Sequence, residues 1–73
     1  MTFGNRLRDF RTAREISIQD LALKVGASRQ MLYYLEKDEK SPSLNMLQKL
    51  AAALGVTPNE LLGVSETQEK EVS

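Results

Sequence analysis

At about 100° of helical rotation per residue, the segment from Ser28 to Lys37 sends Gln30, Tyr33, Tyr34 and Lys37 to one side and Ser28, Leu32 and Leu35 to the other. An amide, two phenols and an ammonium on one face are groups that bond to a partner rather than break covalent bonds. Adjacent exposed aromatics on a small domain mark a surface that meets something. The plainer alternative is that each ring lies flat over neighbouring aliphatic stems. The same segment closes the run SIQDLALKVGASRQMLYYLE, Ser17 to Glu36, which reads as two short amphipathic helices joined by a turn of almost no length. That spacing is used to present the second helix to the major groove of DNA.

The rest of the chain supplies the elements that must hold this pair. Phe3, Leu7 and Phe10 share one face of a first helix, from about Phe3 to Arg14, with Thr2 as its N-cap and a basic opposite face. Ser17 caps a second helix, with Asp20 three residues on as a weak capping box, and this helix buries Leu21, Ala22 and Val25. Gly26 ends it and Ser28 caps the third, Arg29 to about Lys37. After a polar loop, Asp38 to Pro42, Ser43 caps a fourth helix with Leu44, Leu47, Leu50, Ala51 and Leu54 along one stripe, closed by Gly55. TPNE at Thr57 to Glu60 is a capping box with proline at the first helical position, so a short fifth helix holds Leu61 and Leu62. The expectation is an all-α, compact five-helix domain over 1–62, followed by an acidic, weakly ordered tail over 63–73.

Size and composition remove whole classes of function. A chain of 73 residues is one small domain that buries only about 60% of its unfolded surface. With neither cysteine nor histidine, disulfides and the common zinc sites cannot hold it together, and no cofactor or metal is expected. An enzyme is not expected either, for want of histidine, cysteine, a glycine-rich phosphate loop or the length to build a concave site. No apolar run approaches the roughly 20 residues of a membrane span and the amino terminus lacks a secretory core, so a cytoplasmic protein is the default. Lys and Arg balance Asp and Glu over the chain, but residues 1–62 carry nine basic and seven acidic side chains, with the compensating excess of acid in the tail.

Residues 3–62 resemble the helix-turn-helix domain of phage Cro and repressor proteins, the XRE-type family with the lambda-repressor-like fold. The likeness rests on Leu21 and Ala22, Gly26 in the turn, Leu32 and Leu35, then Glu36, Pro42 with Ser43, and the ending ALGVTPNELL. It implies that the first residues of the third helix read bases: Arg29 and Gln30, with Tyr34 a turn further on and Tyr33 beside it. Arginine can bond guanine O6 and N7 together and glutamine can bond adenine N6 and N7 together, each pair giving about 1–3 kcal/mol of discrimination. Met31 is expected to pack rather than to touch DNA. Phosphates would be met at the amino ends of helices two and four, aided by Ser17, Gln19, Ser28, Lys37, Lys40 and Ser43, although Lys37 and Lys40 read equally well as solvated surface charges. Arg11 and Glu36 match a structural ion pair linking helix one to the end of the reading helix.

Two departures from the family pattern stand out. Ile18 occupies a position where the family commonly has a glutamine that touches the DNA backbone, and Gln19 points about 100° away from it. Asp38 and Glu39 replace a glycine and a basic residue, placing two carboxylates where phosphates are expected.

Taken with the resemblance, these features lead to a sequence-specific DNA-binding regulator, a repressor, acting as a homodimer on a near-palindromic site in double-stranded DNA. The dimer surface is expected near Val56, Leu61, Leu62 and Val64. The alternative is a protein-interaction module or antitoxin-type partner-binding protein with weak DNA affinity, using Met31, Tyr33 and Tyr34 against a protein partner. No membrane or small-molecule substrate is expected under either.

Overall fold

The computed structural model describes residues 1–64, which form five helices: α1 (Phe3–Ala13), α2 (Ile18–Val25), α3 (Arg29–Glu36), α4 (Leu44–Leu54) and α5 (Pro58–Leu62). From residue 65 on, the expected acidic tail lies outside the described residues. Helices α1 and α3 stop one residue short of the limits read from sequence, because Arg14 and Lys37 are the C-caps themselves. No helix among the described residues is long and apolar enough to cross a membrane.

The punctuation of this fold is unusually uniform. Every helix starts on a Ser or Thr whose side-chain oxygen accepts the backbone N–H three residues on: Thr2 from Asn5, Ser17 from Asp20, Ser28 from Met31, Ser43 from Met46 and Thr57 from Glu60. Such a cap stabilises a helix by about 1 kcal/mol. The fifth is a full capping box, with Glu60 accepting from the Thr57 N–H in return. Every helix also ends by reversing through a left-handed residue, in turn Glu15, Gly26, Asp38, Gly55 and Gly63. The next residue then donates its N–H five residues back, as in Ile16 to Arg11, Ala27 to Ala22 and Glu39 to Tyr34. At Glu15 and Asp38 a residue other than glycine adopts this conformation, which aspartate tolerates more readily than most side chains.

Inside, Leu7, Leu21, Ala22, Val25, Leu32, Leu35, Leu47, Leu50, Ala51, Leu54 and Leu61 form one buried cluster. α1 packs on α3 and α5, α2 on α3 and α4, and α4 on α5. Leu44 departs from its expected stripe and is 71% exposed. Helical side chains lean toward the amino end of their helix, so a leucine at the first position of α4 projects past the end instead of covering a preceding turn.

The junction of α1 with the end of α3 positions everything that follows. Gly4 is buried, and a Cβ there would lie 2.7 Å from the Leu35 carbonyl oxygen and closer still to that of Glu36. Only a glycine lets the two backbones approach this closely.

Candidate nucleic-acid interface

Helix α3 is built with two unlike sides. Leu32, Leu35 and Glu36 are buried, while Arg29, Gln30, Tyr33 and Lys37 are exposed. Ser28, Arg29, Gln30, Tyr33, Tyr34 and Lys37 line one open groove. Arg29 and Gln30 occupy the first turn, directly after the Ser28 cap, so their side chains extend from the amino end of the helix where backbone N–H groups also point outward.

Tyr34 is less free than its position on the helical wheel implies. It is half-buried; the Lys40 ammonium sits 5.1 Å from its ring centroid, a cation–π contact, and its hydroxyl accepts a 2.8 Å hydrogen bond from Gln30 Nε2. Tyr33 keeps about half of its surface in solvent, at 51%. Met31 is half-buried and packs against the core, bordering a second, smaller depression with Pro42 and Met46.

The opposite end of α3 is tied down. Arg11 Nε donates to Glu36 Oε2 at 2.6 Å and Nη2 donates to Oε1 at 3.3 Å, while Nη1 donates to the Ile16 carbonyl at 2.8 Å. The side chains of Arg11 and Glu36 are 13% and 7% exposed. One guanidinium thus joins α1, the turn after it and the last residue of α3.

Asp38 is exposed, and its carboxylate has a partner within the fold. Its left-handed backbone turns the carboxylate toward the start of α1, where Oδ1 accepts the Gly4 N–H at 2.9 Å. A hydrogen bond from the Thr2 hydroxyl, followed by that of the Gly4 N–H, holds the Asp38 carboxyl below its ordinary value of 3.8. Its negative charge is committed to a helix amino terminus, where the helix dipole favours it. Glu39 is exposed. Ile18 is half-buried and packs against the core, so a support stands where the family has a polar contact.

The remaining candidates fall into three groups. Ser17, Ser28 and Ser43 all use their hydroxyl oxygens as caps, which leaves the hydroxyl protons available to a phosphate. Gln19, Lys37 and Lys40 are exposed. Of the four residues expected at a dimer surface, Leu61 is corrected: it is fully buried, because α5 packs that side against α1 and α4. Val56 is half-buried against the core, and Leu62 and Val64 remain 47% and 50% exposed.

Gly4 and the true role of Asp38 were missed from sequence. A signal existed for the first, since an isolated glycine within a helix costs about 1 kcal/mol relative to alanine and thereby marks a packing constraint.

Comparison with known proteins bears on the same region. The family model described as helix-turn-helix matches residues 7–61. The chain is 38% identical to the immunity repressor protein of Bacillus phage phi105 over 71 residues, which are 97% of this chain and 49% of that protein. It spans about half the length of that repressor and 59% of the cryptic phage CTXphi transcriptional repressor RstR of Vibrio cholerae. Among solved structures, the restriction-modification controller protein C.AhdI from Aeromonas hydrophila superposes with a TM-score of 0.79 at 40% identity, covering 82% of this chain and 91% of that one. The P22 c2 repressor protein, solved in complex with a synthetic operator, gives 0.84 at 29% identity over 89% and 98% of the two chains.

Proposed function

Because the chain belongs to the XRE-type helix-turn-helix family, whose members here are repressors and controller proteins, we propose that it is a sequence-specific DNA-binding transcription regulator and acts as a repressor. The observation that carries this reading is the two-sidedness of α3: one side is locked into the core, and the other offers Arg29, Gln30, Tyr33, Tyr34 and Lys37 in a single groove. With α3 in the major groove, Arg29 bonds a guanine edge and Gln30 an adenine edge. Tyr33 lies beside them. Lys37, Lys40, Gln19 and the amino ends of α2 and α4, with Ser17, Ser28 and Ser43, engage phosphates and fix the register.

So few base-reading side chains give little specificity, and a two-fold assembly doubles them. Leu62 and Val64, together with the half-buried Val56, supply apolar surface for a second copy, and the two recognition helices then address half-sites about 34 Å apart. Occupancy of the site is the regulatory event.

Zero net charge and the exposed Glu39 favour a second reading, a protein-interaction module that kept the fold. Asp38 and Ile18, the departures from the family pattern, have roles within the fold, one at the start of α1 and the other against the core. Selection from a randomised duplex library at about 50 mM salt, where phosphate attraction is least screened, separates the two. An enriched near-palindrome supports the regulator. Absence of enrichment by folded protein supports the interaction module.

A further inference from the structure

Resting on that reading, we infer that Tyr34 is a positioning residue for Gln30: its hydroxyl fixes the Gln30 carboxamide so that the pair, acting as one unit, selects adenine. Four observations converge. Gln30 and Tyr34 stand four residues apart on the exposed face of α3, which places one above the other. Gln30 Nε2 donates to the Tyr34 hydroxyl at 2.8 Å, the one side-chain hydrogen bond Gln30 makes among the described residues. Tyr34 is itself half-buried, with the Lys40 ammonium 5.1 Å from its ring centroid. Finally, both residues line the same groove, alongside Arg29.

The consequence follows from counting donors and acceptors. A glutamine amide has two N–H donors and one carbonyl oxygen. With one N–H committed to Tyr34, a single N–H and Oε1 remain. Adenine presents one acceptor, N7, and one donor, the N6 amino group, and this is what the remaining pair matches. Guanine presents two acceptors, N7 and O6, and would set Oε1 against O6. A free glutamine can turn its amide to suit either purine; a tethered one cannot. Since the Tyr34 oxygen accepts from Gln30, its own proton is free to donate to a phosphate oxygen, which would tie the reading pair to the DNA backbone.

The test compares the wild-type protein with Tyr34→Phe, which keeps the ring under Lys40 and removes only the hydroxyl. Duplexes carry the selected site and differ at the single base pair whose preference disappears in Gln30→Ala. The wild type is expected to favour adenine over guanine there by about tenfold, and Tyr34→Phe to lose most of that ratio while its discrimination at the Arg29 position and its melting temperature stay unchanged. An adenine preference retained by Tyr34→Phe overturns the inference and leaves the regulator intact. A loss spread equally over all base positions overturns it too, by showing a general structural role. A guanine preference at the Gln30 position also overturns it, since that requires the amide turned the other way. If the wild type shows no sequence preference at all, the regulator itself fails and the inference with it.

Discussion

The two ends of α3, less than three turns apart, are held in opposite ways. At the carboxyl end, Leu35 and Glu36 are buried, Arg11 grips the Glu36 carboxylate with two N–H groups, and Gly4 lets the α1 backbone lie against the last carbonyls. At the amino end, Arg29 and Gln30 stand in solvent after a single serine cap. One end sets where the helix points, and the other is left to touch something else. The ties to α1 therefore concentrate at one end of a helix of eight residues.

Breaking the buried end is expected to have the largest effect. Glu36→Ala leaves the Arg11 guanidinium partly buried without its partner, a change that costs about 3–5 kcal/mol in comparable pairs. For a domain this small that is most of its stability, and urea unfolding should show it. An unchanged midpoint would dissolve the contrast between the two ends.

Gly4→Ala comes next. Its methyl group meets the backbone carbonyls of Leu35 and Glu36 rather than a movable side chain, so α1 must shift, at about 1–3 kcal/mol by analogy with overpacked cores. Alanine is the better helix former, and a more stable variant would mean that the junction yields easily.

Asp38 gives a smaller, pH-dependent effect. Its folded pKa lies below the ordinary 3.8, so the ionised form is the one the fold favours. Its contribution is complete above the unfolded value and disappears as pH falls through the lower folded value. Asp38→Asn should reduce stability near neutral pH and flatten the acid limb of the stability curve below about pH 4. An acid limb identical to the wild type would remove Asp38 from the α1 junction.

The free end supplies the smallest effect on folding. Arg29→Ala should change stability by no more than about 0.5 kcal/mol, as for exposed sites generally, while abolishing preference at its base position. Destabilisation comparable to that of Glu36→Ala would show that the amino end also carries fold information.

Much of the architecture was legible in the sequence because local signals carry it. The five Ser or Thr caps and the three glycine stops announce their helices through residue type alone, and the leucine stripes mark the buried faces. Leu44 and Leu61 show where periodicity stops being informative: both lie at suitable angles, yet the side chain of one projects beyond the first turn of its helix and the other is consumed by contacts with α1 and α4. Asp38 could not be placed from sequence, since its partner is Gly4, 34 residues away. The same holds for the Gln30–Tyr34 bond, which depends on a side-chain conformation rather than on composition. Arg11 and Glu36 were found through family likeness, since their spacing of 25 residues carries no local signal.

The stitches to α1 gather around the carboxyl end of α3, and this has a bearing on how such a protein acquires new targets. Residues 29 and 30 carry no buried packing, so their replacement leaves the molecule foldable at almost every step. Under the proposed reading, replacements at 29 and 30 change the DNA sequence preferred while Gly4, Arg11 and Glu36 keep α3 at the same angle to the rest of the fold.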